Sequence, residues 1–584
     1  MGLFSLNEQE KRAKLFAKGK NEADVFGELS GLSLPFKKVD KKTLSRADIT
    51  QELDKYKKLP VRLLEESAVE LKKINCLLIK EKQRKEFAEL FASYIYPVVL
   101  LWYEKYQGEE NSLPESHERR NALVASIDAV QQLSISYKLL FRELYSSKKN
   151  DFKKVRKQCY AYAARSIELI RLEQRLRALR YQKLPKVLWQ HCNQIFFSLL
   201  HHNEVDQDYE VIGLVGVRKK SDKLRKGGVP KSSLKKLYLS VQLFGLLDVT
   251  TWPTRQFHMP DGYLDLLNGE GLKILADDGK DTKPGFLITH SKSDSPPLFK
   301  RNKNLTSPLI QLDYSVLYNT LVKDHKEIAK QQFLEQIDSE KFSRSLLEVR
   351  DIDRVPVIEL MIMGLTQRER RQKRHAAFDH SSLSVYFGFS EVSKLLVDLN
   401  STDKVRVQES RQFIDTLARS SALLAEEAKT HLAADWTITN FSTGGLLIST
   451  EETDFSNPIQ IDMLVSFTMP DNKELPILGF VRRLNRPNAK QVEIAIVRLS
   501  NYAETAGVQA QNELDSTTAK AVILIKNIRG EWNLIIKTSM PYLKGQPLKL
   551  IRANGKSLPV RLGEAVYTKK DFKVFELRSP GLEN

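Results

Sequence analysis

The period of the apolar residues changes along this 584-residue chain, and that change limits the fold more than any other feature. From about residue 51 to 205, apolar side chains recur three and four apart, as in Leu64, Ala68, Leu71, Ile74 and Leu78, the spacing of one helix face. After Arg374 they fall into short β-branched or aromatic runs bounded by turns: Leu383 to Phe389, Trp436 to Thr439, Leu446 to Ser449, Met463 to Met469, Ile477 to Leu484 and Val492 to Leu499. Helical and strand patterns in separate stretches predict a multidomain α+β protein. A chain of this length also exceeds what one core usually organises, and no repeat of solenoid period is present.

The organisation follows. Residues 1–50 lack sustained periodicity and are expected to form a flexible arm, and 51–205 a helical bundle. Within it Tyr162, Leu169, Leu172, Leu176 and Leu179 form a heptad-like stripe flanked by Arg165, Arg171, Arg175, Arg177 and Arg180. That pattern predicts an apolar seam with a basic exterior, closing within the bundle or between two copies. Residues 206–345 read as a mixed region, with a strand over Tyr209 to Val217, a helix over Leu234 to Leu247, a loop over Lys280 to Leu305 and a helix over Tyr314 to Phe342. A further helix, Val355 to Leu365, leads into a dense Arg cluster. The interval 366–505 predicts a small β-barrel interrupted by a helical insert, Val405 to His431. A small β-domain, 515–584, ends the sequence, with strands at Ala521 to Lys526, Trp532 to Thr538, Leu548 to Ala553 and Lys573 to Leu577 and a hairpin turn at Asn554-Gly555.

Composition removes several classes of function. Three cysteines, Cys76, Cys159 and Cys192, are too few for a disulfide framework or a four-thiolate zinc site, and a reducing, cytoplasmic setting is expected. The most apolar stretch, Phe91 to Tyr103, is shorter than the ~20 residues needed to span a bilayer and contains Pro97, so a core helix and no transmembrane segment are expected. Met1 to Leu6 shows neither a leader pattern nor a myristoylation motif. No Walker, dinucleotide, zinc-hydrolase or serine-hydrolase signature occurs, which argues against an enzyme. His191-Cys192 and His201-His202 lack the helical pairing that would bring two metal ligands together, so no metal is expected.

The formal charge of +19 favours an anionic partner. Basic runs at Lys148 to Lys157 and Arg218 to Lys236 carry no interleaved aromatic platforms, which disfavours nucleic acid. Two other motifs complement each other. Arg368-Glu369-Arg370-Arg371-Gln372-Lys373-Arg374 contains an R-x-x-x-R pair, Arg370 and Arg374, and Asn440-Phe441-Ser442-Thr443-Gly444-Gly445 forms an N-x-S-x-x-G turn between two strands. Guanidinium forks grip phosphate and pair with guanine O6 and N7. Asn and Ser offer short polar groups to a purine edge, and Gly lets the backbone come close. The combination describes a guanine nucleotide pocket.

In that order, at the start of a β-barrel, the two motifs resemble the PilZ domain, a bacterial receptor module for cyclic di-GMP, over about residues 366–505. Gly479-Phe480-Val481-Arg482-Arg483-Leu484 is similar to the G-x-V-x-[RW] strand of many such barrels. The resemblance implies that Arg370 and Arg374 clamp cyclic di-GMP, with Arg371 as an alternate. It also implies that Asn440 and Ser442 contact base or phosphate, that Gly444 and Gly445 shape the turn, and that Arg482, on a neighbouring strand, adds a contact. The separation between Arg374 and Asn440 is longer than in a plain PilZ barrel, so the insert must leave the barrel as an excursion. The implied role is a cyclic di-GMP receptor that reorients its helical region to signal to protein partners in motility, pilus or exopolysaccharide machinery. Homo-oligomerisation is left open. The competing readings are a ligand-free scaffold assembling through its helices and a basic nucleic-acid binder.

Overall fold

The computed structural model describes residues 45–109, 112–147, 152–200, 203–210, 231–267, 273–277, 287–290, 292–299, 309–331, 346, 351–366, 375–376, 382–401, 435–442, 444–455, 458–469, 472–510, 519–527 and 529–578. The chain divides into two compact units. Unit 1 comprises 1–111 and 116–369, and unit 2 comprises 112–115 and 370–584.

Unit 1 is mostly helical. Its helices are α1 (Arg46–Asp54), α2 (Pro60–Asn75), α3 (Glu81–Gly108), α4 (His117–Ser147), α5 (Phe152–Ala178), α6 (Lys186–Leu199), α7 (Leu234–Leu246), α8 (Met259–Leu266), α9 (Ser315–Gln331) and α10 (Asp351–Leu365). Local signals set their starts. Ser45 caps α1 by accepting from the Asp48 N–H, Pro60 opens α2, and Ser233 caps α7 through the Lys236 N–H. Two small sheets accompany them. Strands β1 (Asp208–Glu210) and β2 (Lys231–Ser233) form a pair, and β3 (Lys273–Asp277), β4 (Leu287–Thr289), β5 (Leu298–Phe299) and β6 (Leu309–Asp313) form a sheet in the order β3-β6-β4-β5. The expected loop over Lys280 to Leu305 therefore contains two strands, which are too short to show a period. One continuous apolar core runs from Leu53 to Leu365. Phe91, Ile95, Val99 and Tyr103 of α3 are buried in it. No helix of the described residues is long and apolar enough to cross a membrane.

The Leu stripe of α5 closes inside unit 1, where Leu169, Leu172, Leu176 and Leu179 are buried. The basic exterior expected around it is not there: Arg171, Arg175 and Arg180 are buried as well. Asp261 of α8 supplies the counter-charge. Nη2 of Arg175 donates to both its carboxylate oxygens at 3.1 and 3.0 Å, and Nη2 of Arg171 lies 3.0 Å from Oδ2. Ser240 of α7 also donates to Asp261, and the Arg175 guanidinium lies over the Phe244 ring at 3.6 Å. Local sequence could not show that an acid some 90 residues downstream would be packed against this face. Burial alone would push the Asp261 carboxyl up, but Arg171 and Arg175 overcome it and hold the group well below the usual carboxylate range. His191 and Cys192, on α6, are core residues, while His201 and His202 lie outside the described residues.

Lys138 of α4 is also buried, and desolvation, opposed by Glu173, pulls its ammonium down to about 8. In the unfolded chain this group holds its proton to about pH 10.4. The unfolded state thus binds more protons across that window, and the stability this site contributes rises with pH there. Compared by urea unfolding, Lys138→Met is expected to be more stable than the parent near about pH 7 and to lose that advantage near about pH 10. A difference that does not change with pH would contradict this account.

Unit 2 contains β7 (His375–Ala376), β8 (Ser382–Phe387), α11 (Phe389–Ser401), β9 (Asp435–Ser442), β10 (Gly445–Glu451), β11 (Leu464–Met469), β12 (Asn472–Asn485), β13 (Gln491–Ala510), β14 (Lys520–Asn527), β15 (Trp532–Lys537), β16 (Pro547–Arg552), β17 (Ser557–Thr568) and β18 (Phe572–Arg578). Antiparallel pairing closes six of them into a ring, β8-β9-β10-β13-β12-β11 and back to β8. A second ring closes through β13-β14-β15-β18-β17-β16 and back to β13. The two share β13, whose first half pairs with β10 and β12 and whose second half pairs with β14 and β16. Helix α11 packs Phe389, Val392 and Leu396 against Leu464, Leu478 and Phe480. The chain leaves the first ring after β8 and re-enters it at β9. The predicted insert, 405–431, falls in that interval but lies outside the described residues.

Candidate functional site

The N-x-S-x-x-G sequence is a tight hairpin between β9 and β10. Ser442 pairs with Gly445, and Ser442 Oγ donates to the Gly445 carbonyl at 3.3 Å. The Arg498 N–H of β13 donates to the Gly444 carbonyl at 3.0 Å. Gly445 is required by proximity: a Cβ there would sit 2.0 Å from the Ile496 carbonyl oxygen. Its missing side chain is what lets β10 lie against β13 and close the ring.

A β-bulge aims the polar groups. Ile438 pairs with Ile448, whereas Asn440 pairs with Leu447, which leaves Thr439 as the extra residue. Without the bulge, Asn440 would share the inward face of Ile438, because side chains alternate along a strand. With it, Asn440 stands in a cross-strand row with Leu447, Ala495 of β13 and Arg483 of β12, all half-buried. The neighbouring row Ile438, Ile448, Ile494 and Leu484 is fully buried inside the ring. Ser442, two residues beyond Asn440, lies on the same outward face. Among the described residues no side-chain hydrogen bond engages the Asn440 amide, so it is available to a ligand edge.

Strand β7 pairs with β9 beside the hairpin. His375 pairs with Phe441 and Ala376 with Asn440. Arg370, Arg371 and Arg374 lie outside the described residues, but Arg374 directly precedes the strand that pairs with the hairpin.

Arg482 is placed differently from the expectation. It is the extra residue of a second bulge, between Val481 and Arg483 on β12. Strand β12 bonds to β11 and β13, not to β9 or β10, so the strand beside the hairpin is β13. Arg483 shares the row of Asn440, three strand spacings away, or about 14 Å along the sheet. The signal for Arg483 was present in the sequence: in G-x-V-x-R, counted from Gly479, the final position is Arg483. Arg498, which abuts Gly444, had no motif to mark it. Between Asn440 and Arg483 the row offers only Leu447 and Ala495, an uncharged floor with polar groups at its two ends.

Among the described residues no group of three metal-ligating side chains occurs.

No curated protein and no solved structure matches the chain. Residues 57–270 match the family model described as cyclic-di-GMP receptor FimW, N-terminal domain. Apart from residues 112–115 that stretch belongs to the helical unit, and it contains none of the motif residues that pointed to the hairpin.

Proposed function

We propose that the chain is a cyclic di-GMP receptor whose ligand is held at the β9–β10 hairpin of unit 2, in a PilZ-like ring. Arg370 and Arg374, with Arg371 as alternate, clamp the phosphates or guanine edges. Asn440 and Ser442 meet the ligand from the hairpin, Gly444 and Gly445 shape it, and Arg483 or Arg482 closes the far end of the row. The observation that carries this reading is the pairing of β7 with β9, because the chain runs from Arg374 into backbone contact with Asn440 and Phe441. The likeness of residues 57–270 to the N-terminal domain of a cyclic-di-GMP receptor supports it from the other unit.

Unit 1 ends at Glu369 and unit 2 resumes at Arg370, so the clamp occupies the junction along the chain. A ligand gripped there biases the arrangement of the two units by as much as its affinity differs between arrangements, and this is how binding is passed to a protein partner. The test is calorimetric titration of the full chain with cyclic di-GMP. Arg370→Ala and Arg374→Ala are each expected to weaken binding by about 2–3 kcal/mol, the worth of a charge-assisted hydrogen-bonded pair. Uptake that is absent in the parent, or unchanged in both variants, rejects the site.

A further inference from the structure

The second ring of unit 2 carries an electropositive mouth that the cyclic di-GMP reading does not use. Tyr502, Lys526 and Trp532 face one another across β13, β14 and β15. They continue the inward series whose buried members include Ala506, Leu524 and Leu534, so they stand at the end of the ring. Arg552 of β16 completes the group. Its Nε and Nη2 donate to Glu504 at 2.7 and 3.1 Å, and the Tyr502 hydroxyl donates to the same carboxylate at 2.6 Å. The Arg552 guanidinium and the Lys526 ammonium lie 5.3 and 5.8 Å from the Trp532 ring centroid. Arg552, Glu504 and Tyr502 at its base are thus paired with one another.

What the mouth presents outward is mainly positive charge, opposed by the exposed carboxylate of Glu531 in the β14–β15 turn, which accepts from Asn527. The turns after β14 and β16 add Arg529 and Lys556, both exposed. Among the described residues none of Lys526, Arg529 and Lys556 has a carboxylate partner. Residues 519–578 hold thirteen Lys and Arg against four Asp and Glu, so this ring accounts for much of the excess charge of the chain.

We propose that this mouth docks an acidic segment of a partner protein. Trp, Tyr and Arg are the residue types that carry most binding energy at protein interfaces, and the surrounding cations supply complementarity to carboxylates. Single-stranded nucleic acid is disfavoured by the same contacts. Its bases need an open aromatic face, whereas two cations already lie over the indole and Tyr502 meets it edge-on at 86°.

The experiment uses the full chain and a labelled polyglutamate peptide, with an oligothymidylate of matched charge as comparison, both read by fluorescence anisotropy at low ionic strength. The triple variant Lys526→Glu, Arg529→Glu, Lys556→Glu is expected to lose about tenfold or more in polyglutamate affinity. A control of equal charge change on exposed positions elsewhere in this ring, Lys549→Glu, Arg561→Glu, Lys570→Glu, is expected to lose much less. Equal losses in both variants, or tighter binding of oligothymidylate than of polyglutamate, overturns the proposal. Matching thermal unfolding midpoints of parent and variants establish that folding is not what changed. Cyclic di-GMP is absent throughout, so failure here leaves the hairpin reading standing.

Discussion

Asp261→Ala is expected to destabilise unit 1 by about 3–5 kcal/mol, the cost of removing one partner from a buried ion pair. The side chains of Arg171 and Arg175 are only 6% and 1% exposed, so neither guanidinium can recover the lost interaction from water. Urea unfolding of the full chain, followed by the helical circular dichroism signal, gives the measurement. A loss below about 1 kcal/mol would show that the arginines find other acceptors. Replacing all three groups together by apolar residues of similar volume is expected to cost far less, because no charge is then stranded. The pH dependence has a definite sign. The folded carboxyl is held below its unfolded value near about 3.9, so its contribution is present above that value and is lost only as the pH falls towards the folded one.

The second large effect is expected at Gly445. Gly445→Ala would place a methyl group 2.0 Å from the Ile496 carbonyl oxygen, a backbone atom fixed in the pairing of β10 with β13. Overpacking of this kind costs roughly 3 kcal/mol, and here the strands themselves must separate to relieve it. Native-state hydrogen exchange is expected to show lost protection in β10 and in the first half of β13 while the helices of unit 1 keep theirs. On the proposed reading cyclic di-GMP uptake should fall in parallel, because the hairpin hangs from the same contact. Retained protection in β10 would mean that the ring closes without the glycine.

The helical stretch and the first β-ring were legible because both are periodic over several turns or strands, and the period alone identifies them. The α5 stripe was legible as an apolar seam but not in its surroundings: Arg171 and Arg175 have the spacing of solvated flanks, and only tertiary packing against Asp261 shows that they are buried. The second half of β13, Tyr502 to Ala510, was missed because Ala503, Ala506 and Gly507 give no β-branched run. Strand β17 was missed because Pro559 and Gly563 punctuate it. At the candidate site the two motifs could be found by residue type. The pairing of β7 with β9 could not, since His375-Ala376 is too short to carry a pattern. Nor could the bulge at Thr439, which decides the face of Asn440.

Strand β13 serves as a stave of two barrels at once, and this ties their registers together. Because side chains alternate sides along a strand, a residue added near Ser500 has to be taken up as a bulge, as Asn501 already is where Ser500 pairs with Asn527 and Tyr502 with Lys526, or it would turn the shared edge of one ring inside out. Neither ring can then shift, loosen or lengthen that edge alone. Sequence change in this stretch is therefore confined to substitutions and to additions that a bulge or a second residue can offset, and a pull on one half of the strand is felt as a change of alignment in the other.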